Sequence, residues 1–282
     1  MIAAGSVRIP ARRTSEVFSL HTIGDVHWGN SNCARDRVEA DVERIAADPL
    51  ARVLLMGDLG DYIGQADKRW DAATISPEVK AADLADWGMY IAKGIVKLLR
   101  PLRGKIVGSL EGNHESTFSA RQAQQMHAWT CAELGVRNFG FSCFFDLTFE
   151  RSGAGNSRRA YRIFAHHGAG AAQSPGGKIN RLVSFMNFHE ADVYLVGHVH
   201  EQDVKRIETL AASTKCDRLI SRKKLGLFTG TYLRTYAEGF KANYSERAGY
   251  RPVPLGCSVV EFQPFGHDWV HREESVSAKV AI

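Results

Sequence analysis

The sequence lacks three features that would each assign it to a class of protein. Its 5 cysteines are scattered among 282 residues without a Cys-x-x-Cys pair, which argues against a disulfide framework or a zinc ribbon. It has no apolar run of about 18 residues, so we expect neither a membrane span nor a membrane partner. Its first residues do not show the basic, apolar and small-residue order of a secretory signal. Together these absences predict a cytoplasmic protein with reduced thiols.

The composition is that of an ordinary globular chain, with 44% hydrophobic and 24% charged residues. There is no internal repeat and no linker-like segment of low complexity, which favours a single domain over residues 1–282. The net charge is +5. The simpler interpretation is a mildly basic surface, and the alternative is attraction toward phosphate substrates or polyanions.

Apolar patterning predicts strands that alternate with helices up to about residue 200 and strands that dominate afterwards. This order indicates an α/β (α+β) fold, in which residues 201–282 supply a β-rich part. One sheet and two stacked sheets both remain open at this level. The basic residues 205–224 are expected to form a solvent-exposed hairpin, with contact to a polyanion as the alternative. The predicted strands are 17–23, 52–56, 105–110, 139–150, 160–166, 193–196, 226–236 and 257–262, and the predicted helices are 35–47, 76–99, 119–134 and 182–189.

Five short polar clusters stand at or just beyond the ends of apolar, strand-like runs. They are GDVHWG (24–29), GDLGD (57–61), GNHE (112–115), HHG (166–168) and GHVH (197–200). Six of the 11 histidines fall inside these clusters. Any one of these histidines alone would more often be structural, but such a concentration is hard to explain by chance. Imidazole and oxygen groups in this number suit a site for two divalent metals.

The spacing within the clusters fits metal coordination. Asp25 and His27, like His198 and His200, stand two residues apart, and residues i and i+2 of an extended segment point to the same side. The carboxylate of Asp58 has two oxygens and could bridge two metals. The next cluster adds the neutral amide oxygen of an asparagine, which coordinates without further negative charge.

In this order the clusters resemble the motif series of the calcineurin-like metallophosphoesterase superfamily. The resemblance covers Asp25 to His200, roughly the first two-thirds of the chain, and every motif is present. The glycine-rich segment 168–178 resembles, more loosely, phosphoesterases encoded by phages and prophages. The superfamily resemblance implies a four-layer αββα sandwich, in which two mixed β-sheets are flanked by helices and the metals lie over the strand ends.

The resemblance also implies a ligand set. One metal would be held by Asp25, His27 and His200, a second by Asn113, His167 and His198, and Asp58 would bridge them. In the HHG cluster we choose His167 over His166, because the histidine directly before the glycine usually matches the ligand. An alternating strand would also direct these two side chains to opposite faces. His114 matches the catalytic histidine of the family, and Asp61 matches the carboxylate that orients it.

The function implied is that of a phosphoester hydrolase with a dinuclear metal centre. A hydroxide that bridges the two metals would attack the phosphorus, and His114 would assist the leaving group. The ligands are too mixed to identify the metal, so Mn²⁺ is the first expectation and Fe, Zn, Ni and Co also fit. The rival hypothesis is a non-catalytic scaffold, which is less favoured because no ligand is missing and His114 is present.

The substrate is less defined. The arginines that grip phosphate in the related protein phosphatases are replaced by Tyr62 and Glu111, which argues against a phosphoprotein substrate. Lys178 and Arg181 are candidate substrate contacts, although a solvated helix start is the simpler interpretation. Phosphomonoesters and phosphodiesters both remain open. The basic surface slightly favours diesters, which includes a nuclease-type activity on nucleotides or nucleic acid as an alternative.

Overall fold

The computed structural model describes residues 1–65, 67–151, 157–170, 174–266 and 276–280. The strands of this part of the chain are β1 Ile2–Ala11, β2 Phe18–Ile23, β3 Ala51–Leu55, β4 Ile106–Ser109, β5 Ser142–Arg151, β6 Ser157–His166, β7 Val193–Val196, β8 Gln202–Ala212, β9 Leu219–Thr231, β10 Gly256–Phe262 and β11 Val276–Val280. Its helices are α1 Arg35–Ala47, α2 Ala81–Leu84, α3 Trp87–Leu99, α4 Asn113–Gln122, α5 Met126–Leu134, α6 Pro175–Phe188 and α7 Tyr244–Arg247. Two short 3-10 helices are also present: Ala72–Thr74 precedes α2, and Arg100–Leu102 follows α3.

The strands form two mixed groups. One group has the order β1-β5-β6-β7-β9, with β8 on the free side of β9, and the other has β10-β2-β3-β4, with β11 beside β10. Parallel pairs join β2 to β3, β3 to β4, β6 to β7 and β7 to β9, whereas β10 pairs antiparallel with β2. Among the described residues, backbone pairing joins the two groups where Gly256 and Cys257 of β10 pair with Thr231 and Gly230 of β9.

Apolar side chains from both groups fill the space between them. Phe18 on β2 lies 4.8 Å from Phe149 on β5, and Phe149 lies 5.7 Å from Phe262 on β10, measured between ring centroids. Helices α1, α3 and α5 cover the outer face of β2 and β3, while Leu182 and Met186 of α6 cover β6, β7 and β9. The layers are therefore helix, sheet, sheet and helix, and the predicted αββα arrangement is confirmed.

Four of the five strands that carry the motifs, β2, β3, β4 and β7, are buried on both faces, which explains their largely apolar sequences, whereas β6 is buried mainly near its carboxyl end. β3 and β7 have almost no exposed residue, and β2 and β4 are largely buried. Because β2, β3 and β4 run parallel, their carboxyl ends lie along one edge of their sheet. The parallel strands β6 and β7 likewise end side by side in the other sheet. The five clusters begin at these ends.

Two predicted helices are each divided in the structure. The helix expected over 76–99 is two helices, α2 and α3, and α3 continues without a break through Gly88 and Gly94. Both glycines instead allow close packing, because a Cβ atom on Gly94 would lie 2.1 Å from Trp28 Nε1 and one on Gly88 would lie 2.7 Å from the Phe118 ring. The helix expected over 119–134 begins earlier and breaks at Ala123, which has φ 55°. Strand β1, which pairs with β5, was not predicted.

Strands β8 and β9 form an antiparallel ribbon whose far end is exposed, as predicted for residues 205–224. The first residue of β7, Val193, pairs with Leu225, so residues 219–224 extend beyond the amino end of β7. That direction leads away from the edge where the clusters lie. The ribbon, residues 202–231, contains seven Lys or Arg and three Asp or Glu, so it carries +4 of the net charge of +5.

Within the described residues, no helix has both the length and the apolar character needed to cross a bilayer. The five cysteines are unpaired, and four of them are buried. Burial raises the pKa of the Cys33 thiol to about 12 and that of Cys257 to about 11, which keeps these thiols in the neutral form.

His127 on α5 gives a prediction about stability and pH. The side chain is buried, with Nε2 3.0 Å from Ser109 Oγ, and burial lowers its pKa from 6.5 to about 4. Between pH 6.5 and about pH 4, His127 is protonated in the unfolded chain but neutral in the folded chain. The free energy of unfolding therefore falls as the pH falls through this range. We expect His127→Gln to remove ~3 kcal/mol of this loss between pH 7 and pH 4.

Urea unfolding at several pH values in the presence of a chelator measures this dependence. His21 provides an independent comparison, because burial also lowers its pKa to about 4. His21→Gln should therefore flatten the same pH range. Variant and wild-type curves that fall in parallel would contradict the assignment of His127 as a buried neutral ring.

Candidate metal centre

The structure brings all seven predicted ligands together at the strand ends. Asp25 and His27 follow β2, Asp58 follows β3, Asn113 opens α4, His167 follows β6, and His198 and His200 follow β7. Within each of three groups, the potential ligand atoms lie within 4.8 Å of one another. These groups are Asp25 with His27 and His200, Asp58 with His167 and His198, and His27 with Asp61 and His114. The first two match the two sites expected from the motifs.

The first group contains a buried oxygen that lacks a hydrogen-bond donor. Asp25 is fully buried, and its Oδ2 accepts the backbone N–H of His198 at 3.0 Å. Its Oδ1 has no hydrogen-bond partner among the described residues and lies 3.2 Å from His200 Nε2. His27 Nε2 also lies 3.2 Å from His200 Nε2. A buried carboxylate oxygen that faces an imidazole nitrogen needs either a proton on that ring or a cation between the two groups, so these residues fit a divalent metal.

The orientation of His27 supports this fit. Its Nδ1 lies 3.3 Å from Asp61 Oδ1, so a proton on Nδ1 would be donated to that carboxylate. Burial lowers the pKa of His27, which favours the neutral ring. The lone pair of Nε2 then faces Asp25 and His200. A carboxylate behind a ligating histidine is the usual arrangement around protein-bound metals.

The second group is built in the same way. His167 Nδ1 donates to the backbone carbonyl of Met56 at 2.7 Å, which leaves Nε2 as the inward atom. That atom lies 3.1 Å from Asn113 Oδ1 and 3.4 Å from Asp58 Oδ2. The ring of His198 has its centroid 5.4 Å from that of His167. Two imidazoles, an amide oxygen and a carboxylate thus converge.

Asp58 lies between the groups. Its Oδ1 accepts the backbone N–H of His114 at 2.9 Å, while Oδ2 faces His167. Burial opposes its charge, but His167 and His114 outweigh burial and hold the pKa of Asp58 well below its usual range. Burial likewise opposes a charge on His167, yet Asp58 raises the pKa of that ring to about 10. In this arrangement protons on histidine balance the carboxylates, and a divalent cation would displace them.

His114 lies beside this centre. Its ring stands edge-on to that of His27, with 4.7 Å between centroids. Its Nδ1 bonds to the backbone carbonyl of Asp61 and lies 3.7 Å from Asp61 Oδ1. The Asp61 carboxylate itself bonds His27 and, through Oδ2, Asn30 Nδ2 at 3.2 Å. Asp61 thus holds His114 through its carbonyl, whereas the sequence suggested the carboxylate.

The two histidines of the HHG cluster face different surroundings. His167 is fully buried among the candidate ligands. His166 ends β6, and its ring centroid lies 4.9 Å from that of Phe185 on α6. Its Nδ1 accepts the backbone N–H of Gly168 at 2.7 Å. Burial lowers the pKa of His166 to about 4, so the ring is neutral. The geometry directs only His167 into the centre.

The backbone at the ligands is not extended, so that part of the sequence-based prediction is wrong. Left-handed φ values occur at Asp25 (48°), His27 (52°), Asp58 (48°), His198 (68°) and His200 (52°). These five make up most of the eight non-glycine residues with positive φ in the described chain. Such conformations are unfavourable for L-residues and concentrate where surrounding contacts enforce them, typically at functional sites. The side chains converge because the chain bends sharply.

Glu115 is a residue that the analysis of individual clusters missed. It is buried, and its carboxylate accepts the backbone N–H groups of Asp58 at 3.0 Å, Leu59 at 2.8 Å and Gly112 at 3.1 Å. Burial raises its pKa to about 7. A Cβ atom on Gly112 would lie 2.1 Å from Asp58 Oδ1, so only glycine fits there. The signal available in the sequence was the position of this Glu at the third residue of α4, where it caps the helix.

The two candidate substrate residues are placed differently from the ligands. Lys178 donates to Glu201 Oε1 at 2.9 Å and to the carbonyl of Val199 at 3.2 Å, so it holds the loop that carries His200. Glu201 also accepts from Arg251 Nε at 3.0 Å. Arg181 is exposed on α6, close to Gly170. Residues 171–173 of the glycine-rich segment lie outside the described residues.

No protein-family model and no curated protein matches the sequence. Among solved structures, the chain is similar to a predicted phosphoesterase from Streptococcus pneumoniae, with 12% identity, a TM-score of 0.32 and coverage of 88% of this chain and 83% of the other. It is similar to a metallophosphoesterase from Sphaerobacter thermophilus, with 14% identity, a TM-score of 0.38 and coverage of 88% and 84%. The NAD nucleotidase of Haemophilus influenzae has 10% identity, a TM-score of 0.39 and coverage of 89% and 48%.

These similarities concern the fold alone. The five motifs carry the more specific information, because they occur in order at the ends of neighbouring strands and bring Asp25, Asp58 and five further side chains that could bind a metal into one centre. The predicted resemblance is confirmed by this convergence: the chain is similar, in its motifs and in their arrangement, to the calcineurin-like metallophosphoesterases.

Proposed function

We propose that this protein is a phosphoester hydrolase that uses two divalent cations, with Mn²⁺ as the first candidate. The observation that carries the proposal is the buried Oδ1 of Asp25, which accepts no backbone N–H and faces the ring nitrogen of His200 at 3.2 Å, while Asp58 faces a second set of imidazoles. Asp25, His27 and His200 would hold one cation. Asn113, His167 and His198 would hold the other, with Asp58 between them. When bound, the cations would lower the pKa of the attacking water and offset the charge of the phosphoryl oxygens.

The residues around the ligands supply orientation and a proton. The carbonyl of Asp61 accepts from His114 Nδ1, so the proton available to a leaving oxygen is the one on Nε2. Burial opposes protonation of His114, but Asp58 and Asp61 outweigh it and raise its pKa. Met56 and Asp61 fix the rings of His167 and His27, and Glu115 fixes the loop that carries Asp58.

The position of the positive charge bears on the choice of substrate. The net charge lies mainly on the β8–β9 ribbon, which extends away from the edge that carries the ligands. A basic surface therefore gives less support to phosphodiesters at the metal centre than the sequence suggested. A nuclease-type activity remains the second candidate, in which the ribbon contacts nucleic acid at a distance from the cleaved bond. The shared proposal is hydrolysis of a phosphate ester.

His114→Ala should separate proton donation from metal binding. We expect kcat on bis(p-nitrophenyl) phosphate to fall by about 10²–10⁴-fold, because the leaving group loses its proton donor. Both metals should remain bound, since His114 is not among the ligands. Metal content after gel filtration and steady-state kinetics test the two expectations. A variant that loses its metals would show that His114 is a ligand.

His167→Gln and His166→Gln form a matched pair for the choice made in the HHG cluster. The first removes the ring nitrogen that faces Asp58 and Asn113, so we expect the affinity for Mn²⁺ to fall by about tenfold or more. The second changes a ring that packs on Phe185 and should leave that affinity within about twofold. Calorimetric titration of metal-free protein measures both. Equal losses in the two variants would refute the assignment.

Asp25→Asn tests whether the carboxylate of Asp25 binds a metal, with no need to measure turnover. In the wild type, Mn²⁺ at 100 times its dissociation constant should raise the free energy of unfolding by about 2.7 kcal/mol per site. We expect the variant to lose most of this increase for the first site. Burial opposes the charge of Asp25, but the hydrogen bond and charge of His200 outweigh burial and lower its pKa, so the variant should also unfold somewhat more easily than wild type without metal. Thermal melts with a chelator and with Mn²⁺ give both values, and an unchanged shift in Asp25→Asn would contradict the proposal.

A further inference from the structure

Two arginines share one buried carboxylate in the segment that follows the Asp61 motif. Asp67 accepts from Arg69 through Nε at 3.1 Å and Nη2 at 2.8 Å, each on a different oxygen. Arg121 on α4 contacts the same carboxylate, with Nη1 2.6 Å from Oδ2. We call these three residues the Asp67 clamp. The two-point contact holds the planar guanidinium of Arg69 in one orientation.

The Asp67 clamp lies on the edge of the molecule that carries the ligands. Arg121 stands seven residues after His114 on α4, which places it on the same side of the helix and about 10 Å along its axis. The charge of Arg69 interacts with carboxylates of the centre. Besides Asp67, the carboxylates of Asp61 and Asp58 hold the pKa of Arg69 above its usual value. Burial, and then the charge of Arg69 among others, oppose the raised pKa of His114.

The charges of the clamp do not cancel. Two guanidinium groups meet one carboxylate, and the arginine side chains are 34% and 39% exposed while that of Asp67 is 6% exposed. Arg69 donates to Asp67 from Nε and Nη2, which form one edge of its guanidinium. Its Nη1 lies on the opposite edge and carries further N–H donors. A fixed, partly exposed cation with a spare donor beside a phosphoesterase centre is suited to a phosphate. Tyr62 and Glu111, by contrast, supply no positive charge.

We propose that Arg69, oriented by Asp67, binds a second phosphate of the substrate, adjacent to the phosphate that is hydrolysed. The preferred substrate then carries two phosphate groups on one nucleoside-sized unit, as an oligonucleotide end or a nucleoside bisphosphate ester does. This inference rests on the proposed function of the metal centre and names the substrate class for it. Arg69 acts as a substrate-binding residue, and Asp67 is a positioning residue.

Two chromogenic esters that differ by one phosphate test the inference. They are thymidine 5′-(p-nitrophenyl phosphate) with and without a 3′-phosphate, so the bond cleaved and the leaving group are the same. Wild type should have the lower KM for the ester with the 3′-phosphate. In Arg69→Ala that KM should rise about tenfold or more, with kcat within about twofold, because one charge-assisted hydrogen bond is lost. The KM for the other ester should hardly change.

Neighbouring variants supply the controls. Lys68→Ala removes the same charge from the adjacent, exposed position and should keep the wild-type preference. Arg69→Lys keeps the positive charge but loses the planar guanidinium, so it should retain part of the preference for the ester with the 3′-phosphate. Asp67→Asn weakens the contact that orients Arg69 and should lose part of that preference. An equal rise of KM for both esters in Arg69→Ala, or the same loss in Lys68→Ala, would overturn the assignment.

A binding experiment separates this inference from the function on which it rests. Calorimetry with Mn²⁺-loaded protein compares thymidine 3′,5′-bisphosphate with thymidine 5′-monophosphate. We expect wild type to bind the bisphosphate about tenfold more tightly and Arg69→Ala to lose that difference. If no ester is hydrolysed but this preference is present and depends on Arg69, the proposed function fails and the binding role stands. A wild type without preference for the bisphosphate overturns the inference.

Discussion

The structure depends on keeping two buried carboxylates, Asp25 and Asp58, close together in a site with little water. Each receives one backbone N–H from a different motif, His198 for Asp25 and His114 for Asp58. These two bonds offset only part of the charge, and the remainder is balanced by protons on histidine or by divalent cations. The donors and rings come from loops far apart in sequence. The site therefore exists only when both sheets are folded and packed.

The need to hold these two carboxylates close together explains the left-handed backbone conformations at the candidate ligands. A loop that follows a strand would normally carry its side chains past the sheet edge, away from a shared centre. Left-handed residues such as Asp25 and His200 turn the chain back, at a conformational cost that neighbouring contacts must offset. Glu115 provides such contacts by accepting four backbone N–H groups, those of residues 58–60 and of Gly112. Polar groups behind the ligands are thus as necessary to the arrangement as the ligands.

The sequence predicted the parts of the fold that depend on local pattern. Strands β3 and β7 are apolar apart from Arg52 in β3, because both of their faces are covered, and the motif residues that follow them mark the strand ends. It did not predict the break at Ala123, since nothing in its own side chain requires a left-handed φ. The role of Lys178 was also inaccessible, because its partner Glu201 lies 23 residues away and approaches only in the fold. Long-range pairing decides such details.

The type of reaction and the choice of substrate also differ in how far the sequence predicts them. The ligands and His114 belong to short motifs, so the amino-acid sequence alone indicates the type of reaction. The two arginines of the Asp67 clamp, Arg69 and Arg121, lie outside the motifs and meet on the carboxylate of Asp67. The net charge of the whole chain gave no guide to this, because most of it belongs to the distant β8–β9 ribbon. Substrate choice therefore depends on where individual charges are held, so the proposed role of Arg69 rests on its contacts with Asp67 and not on the net charge of the chain.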